Sequence, residues 1–182
     1  MNTREIKVQK QGRIPKKEGI GIIVAIIIAA SLMVWELKGL LQLSLTTLQS
    51  RQFEHTFKGF GSNARLALFF VLAYYVLLRV IRLGMLKGQG KVKKWLSTFL
   101  RFARRWHTPV AIIAITFIIL HTVAVFMHGF KFDFNNISGL LSLLILLPVP
   151  ISGLFRYKRM DRKWHLRSGI TFAILFLIHS FL

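Results

Sequence analysis

Five apolar blocks dominate the chain, at about residues 19–35, 64–86, 107–128, 139–155 and 166–182; the first runs "IGIIVAIIIAASLMVW". A helix of roughly 20 residues crosses the ~30 Å hydrocarbon core of a bilayer, so each block is long enough, or nearly so, to span. The chain is 54% hydrophobic with a mean hydropathy of +0.54. A water-soluble domain of 182 residues has too little interior for that much apolar surface. The expected fold is an all-α membrane protein, a bundle of about five transmembrane helices in one compact membrane domain. The fourth block contains "LLPVPISG", where Pro148 and Pro150 are expected to kink or break the helix.

Charge sets the expected orientation. Lys and Arg number 26 against 6 Asp and Glu, a net charge of +20. They gather in short runs beside the apolar blocks: six in residues 1–18, seven in 87–105 and six in 156–167. The segments 36–63 and 129–138 carry three and one. Five spans put all three basic runs on one side, which the positive-inside rule makes the cytoplasm. The N-terminus is then inside and the C-terminus outside. The basic runs adjoin spans rather than forming a folded basic face, so anionic lipid, not nucleic acid, is the expected partner.

The absence of cysteine removes thiolate zinc sites, iron–sulfur clusters, disulfides and covalent c-type haem. The N-terminus is basic and then apolar, with no small-residue cleavage site close behind, and reads as an uncleaved first span. The organisation expected is a basic cytoplasmic segment (1–18), a first span with an outer amphipathic stretch (19–63), and a transmembrane core (64–182). The outer stretch 37–60, "LKGLLQLSLTTLQSRQFEHTFKGF", reads first as a connection resting on lipid and second as a docking surface.

The chemistry-bearing pattern is histidine. "RRWH" ends at His107 and "RKWH" at His165, and fourteen residues after each comes another, His121 and His179. Fourteen residues turn a helix by ~1400°, about 40° short of four turns, with a rise of ~21 Å. Each pair therefore shares one helix face. In the five-span topology the third and fifth spans are parallel, so His107 falls level with His165 and His121 with His179. Two facing imidazoles suit the axial positions of a haem iron, whereas zinc takes three or four ligands. A lone intramembrane histidine more often bonds a neighbouring helix. Four in matched intervals favour ligation, because ionisable groups in a membrane are costly and usually functional.

Arg104, Arg105, Arg162 and Arg167, with Arg101 and Lys163, surround the inner pair and are candidates to meet haem propionates; as single residues they read equally as cytoplasmic charges. Arg79 and Arg82 are further candidates. Trp106 and Trp164 read as interface anchors. Ser168 and Gly169 are small enough to admit a macrocycle and equally suit helix packing. His128, seven residues after His121, reads as an interfacial histidine before a substitute ligand, and His55 has no assigned role.

Two parallel spans carrying histidines about four turns apart resemble the ferric reductase transmembrane domain superfamily, over about residues 64–182. That superfamily includes ferric reductases, NADPH oxidases and the haem-binding membrane subunit of the bacterial methionine sulfoxide reductase system. The resemblance implies two b-type haems, an inner one on His107 and His165 and an outer one on His121 and His179. It implies a multi-pass protein of the bacterial cytoplasmic membrane. Many members add a sixth span and a flavin and nicotinamide domain. Only three residues follow His179 here, so a separate donor, a flavoprotein or quinol, is expected. The acceptor outside would be ferric iron, a flavoprotein, oxygen or another reductase partner. The expectation is thus a cytochrome b moving electrons outward, as an oxidoreductase or as a relay subunit; the rival is a cofactor-free scaffold or transporter subunit.

Overall fold

The computed structural model describes residues 16–83, 90–155 and 162–182. Among them every regular element is an α-helix: α1 (Lys16–Leu41), α2 (Leu45–Leu48), α3 (Arg51–Arg82), α4 (Gly90–Gly129), α5 (Phe134–Leu146), α6 (Pro148–Phe155) and α7 (Arg162–Phe181). Four stretches are long and apolar enough to cross a membrane: Glu18–Leu41, Arg51–Arg82, Gly90–Gly129 and Phe134–Gly153. α7 is a fifth apolar helix of 20 residues, with Arg162, Lys163 and Arg167 in its first two turns. This is compatible with a multi-pass membrane protein. The exposed faces agree: Ile20, Ile23, Val24, Ile26, Ile27 and Ile28 of α1 are all exposed. A continuous apolar face of that kind is stable against lipid and costly in water. The basic segment 1–15 and the charges Lys87, Arg156, Lys158 and Arg159 lie outside the described residues.

The chain folds as two compact units, one of Lys16–Phe130 and one containing Lys131–Leu182. In the first, α4 packs against α3 and α1. Its core gathers Leu40 of α1, Leu48 of α2, Phe53 and Phe60 of α3, and Leu120 and Ala124 of α4. The amphipathic stretch 37–60 is therefore helical in large part and contributes one apolar face to this core. Four of its apolar side chains are buried in this core, which the sequence pattern alone did not require. Two serines organise the turn that makes it possible. Ser44 Oγ accepts from the N–H of Thr47 at the start of α2, and Ser50 Oγ accepts from the N–H of Phe53 at the start of α3. Each satisfies an orphan helix donor, worth about 1 kcal/mol.

α4 is longer than the apolar block inside it, because the basic run before His107 is also helical. Nothing in "KVKKWLSTFLRFARRW" breaks a helix, and Lys, Arg, Leu and Ala favour one. The helix ends at Gly129, whose φ of +114° is in a region that residues with a Cβ rarely adopt.

In the second unit Asp133 caps α5, its Oδ1 accepting from the N–H of Asn136 at 2.8 Å. α5 and α6 together make the fourth apolar block, and the break expected from the prolines falls at Leu147, immediately before Pro148. Pro148 has no N–H to continue the α5 ladder and a φ suited to a first helical turn. α7 packs on both segments and buries Phe172 and Phe176 against them.

Candidate functional site

The histidine positions follow from heptad spacing. In α4, His107, Ala114, His121 and His128 recur every seven residues on the face turned to α3, with Ala114 fully buried between the first two histidines. In α7, His165, Phe172 and His179 recur likewise on the face turned to α5 and α6. The four candidate ligands thus lie two in each unit.

Each of three candidate ligands donates its Nδ1–H to a backbone carbonyl of the neighbouring helix. His121 bonds Phe57 O of α3 at 2.8 Å. His165 bonds Val149 O of α6 at 3.0 Å. His179 bonds Asn135 O of α5 at 3.0 Å. A carbonyl can only accept, so the ring proton is on Nδ1, and in a neutral imidazole the lone pair is then on Nε2. This is the arrangement of metal-ligating histidines, whose second ring nitrogen is held by a carbonyl or carboxylate. The donor set fits an axial haem ligand. Among the described residues no three His, Asp or Glu side chains converge as a metal ion's ligand set.

The neighbouring helices are shaped for these rings. Four residues after each accepting carbonyl stands a glycine: Gly61 after Phe57, Gly139 after Asn135, Gly153 after Val149. A Cβ on Gly61 would lie 3.1 Å from the His121 ring, one on Gly139 2.8 Å from that of His179, and one on Gly153 3.5 Å from that of His165. In the second unit a serine precedes each glycine. Ser138 Oγ donates to Asn135 O and lies 3.4 Å from His179 Nδ1; Ser152 Oγ donates to Val149 O and lies 3.2 Å from His165 Nδ1.

His107 is set differently. Its ring contacts both Tyr74 and Tyr75 of α3, at centroid distances of 5.7 and 5.6 Å. Counting fourteen residues along α3 from Gly61, to match the step from His121 back to His107, leads to Tyr75.

His128 donates from Nδ1 to Leu48 O at 2.7 Å and contacts the rings of Phe53 and Phe57. Leu48 ends α2, so its carbonyl lacks an intrahelical partner, and His128 supplies one. This ties the turn between α1 and α3 to α4.

Arg104 and Arg105, one turn before His107, are exposed, as is Arg167, two residues after His165. The side chain of Arg162 lies outside the described residues. Trp106 and Trp164 are exposed, as interface anchors are. The sequence reading missed Phe57, Gly61, Tyr74, Tyr75, Ser138, Gly139, Ser152 and Gly153. Half of that set had a signal: "ISGL" occurs at 137–140 and again at 151–154, the same fourteen-residue step as His165 to His179.

Comparison with protein-family models, curated proteins and solved structures found no match to this chain.

Proposed function

We propose that this chain is a transmembrane b-type cytochrome of the ferric reductase-like kind, holding two haems by four histidines. What carries the reading is the ring orientation of His121, His165 and His179, each held through Nδ1–H by a carbonyl so that Nε2 is the basic nitrogen. A carbonyl bond also raises the basicity of that nitrogen toward a metal. His121 and His179 are assigned to the outer haem, and His107 and His165 to the inner one. Bound haem b would supply reversible one-electron transfer at its iron.

The chain's own residues do the rest. Helix packing holds the imidazoles; the intramembrane histidine–carbonyl bonds average only about 0.6 kcal/mol each in such settings, too little to assemble the helices but enough to orient a ring. Tyr74 and Tyr75 wall the ring of His107. Arg104 and Arg105 precede His107 in the sequence and Arg162 and Arg167 flank His165; these are the groups that would meet propionates. By the positive-inside rule the basic segments would put this end in the cytoplasm. Electrons would enter there from a separate flavoprotein or quinol and leave toward ferric iron or a reductase partner outside, in a bacterial cytoplasmic membrane.

The test is the absorption spectrum and pyridine haemochrome of protein purified from haem-replete cells. Dithionite-reducible b-type bands at two haems per chain are expected. A colourless protein would overturn the assignment in favour of a cofactor-free scaffold, in which the histidines only tie helices together as His128 ties α4 to α2.

A further inference from the structure

The three carbonyls that accept from His121, His165 and His179 are not ones that need a partner. Phe57, Asn135 and Val149 each have a helical residue four positions on, and the ladder pairs their oxygens with those N–H groups. His128 differs, because Leu48 ends its helix. A further bond to a carbonyl already in the ladder, and in the second unit already accepting from a serine hydroxyl, serves the imidazole, not the backbone.

Such a carbonyl is normally screened. A helical Cβ leans toward the N-terminus, so the residue at i+4 covers the carbonyl of residue i. Glycine at i+4 uncovers it, and in all three cases i+4 is glycine. In the second unit the arrangement occurs twice at a fourteen-residue step, on the strength of "ISGL" at 137–140 and 151–154, and the histidines of α7 match it step for step.

We propose that Gly61 and Gly139 are positioning residues: each opens a carbonyl that fixes the Nδ1–H tautomer of one histidine and thereby selects Nε2 as its ligating atom. The proposal deepens the haem reading and takes the ligand roles from it. It makes a graded claim about alanine substitution. At Gly139 the new Cβ meets Cε1 of His179 at 2.8 Å, a separation that forces the ring to move off Asn135 O. At Gly61 the approach is 3.1 Å, relieved by a few tenths of an ångström. At Gly153 the 3.5 Å contact is ordinary. Gly59 of α3 and Gly169 of α7 meet nothing within 4 Å and serve as controls.

The experiment is nitrogen-15 NMR of histidine-labelled full chain in nanodiscs, haem-free, with resonances assigned by single His→Gln variants. In the wild type His121, His165 and His179 are expected as Nδ1–H tautomers. Gly139→Ala should move His179 toward the Nε2–H form, Gly61→Ala should move His121 less, and Gly153→Ala, Gly59→Ala and Gly169→Ala should leave the pattern unchanged. After haem loading, Gly139→Ala should alter one of two low-spin electron paramagnetic resonance signals and leave the other. Should Gly139→Ala fail to fold, Gly61→Ala against Gly59→Ala carries the same contrast on one helix. An unchanged His179 tautomer in folded Gly139→Ala, or equal responses at Gly61 and Gly59, overturns the proposal. If the tautomers follow this order but the wild type takes up no haem, the haem reading falls and the glycine seats stand.

Discussion

The two units solve one problem in two ways. Each carries a pair of histidines fourteen residues apart on a single helix, α4 in one and α7 in the other. In the second unit both histidines rest on the same seat, a carbonyl with Ser at i+3 and Gly at i+4. In the first, His121 has a carbonyl and glycine, and His107 packs on the rings of Tyr74 and Tyr75, with Tyr75 at the matching position. The filling between the histidines also differs: Ala114 is fully buried in α4, and Phe172 is 5% exposed in α7. Equal spacing along a helix therefore fixes which face the rings share, while the neighbouring helix decides how each ring is turned.

The largest effect tests the equivalence of the pairs. On the proposed assignment, His179→Ala should lower haem from two to about one per chain, and His121→Ala should do the same, since each would remove an axial position from one proposed haem. The inner haem should stay reducible from the cytoplasmic face in oriented vesicles. If either variant retained both haems, or lost both, the assignment of ligands across the two units would break.

Next comes the space between the histidines. Phe172→Ala should cost about 3 kcal/mol, because truncating a buried phenylalanine leaves a cavity. Ala114→Phe should cost about 1–3 kcal/mol by overpacking a site with no exposed surface. Reversible denaturation in mixed micelles reads both. If Ala114→Phe were neutral, the packing difference between the units would be incidental.

A smaller effect compares the two serine seats. Ser138→Ala and Ser152→Ala each remove one hydroxyl bond to the seat carbonyl, with an expected loss of about 0.5–1.5 kcal/mol. Similar losses are expected at the two positions in the same denaturation assay, with the haem count unchanged. Smallest is Ser50→Ala, about 1 kcal/mol or less at the N-cap of α3. It should appear as faster amide exchange confined to residues 50–54, leaving the second unit untouched.

The all-helical fold was legible because apolar blocks of spanning length admit few other structures, and the proline break in the fourth block fell where Pro148 put it. For the outer stretch 37–60 the structure adds what its sequence left open, that Leu40, Leu48, Phe53 and Phe60 are buried in the core. Its Leu and Phe pattern is the same for lipid and for a core, and only packing against Leu120 and Ala124 distinguishes them. The histidine intervals were legible because one helix with a fixed pitch relates them. The seats were half legible, since the repeated "ISGL" sits in plain view but acquires meaning only when set opposite His165 and His179.

What the sequence by itself determined is therefore the set of properties that act along one helix: length, hydropathy, the shared face of His107 with His121 and of His165 with His179, and the break at Pro148. What only the tertiary structure decided is every property that needs two helices at once. That Phe57, Asn135 and Val149 are the accepting carbonyls, that Gly61 and Gly139 stand closest to the histidine rings, and that His128 completes α2 instead all depend on the register between neighbours. Register is set by the summed packing of many side chains, each contributing little, and no single short stretch of sequence encodes it.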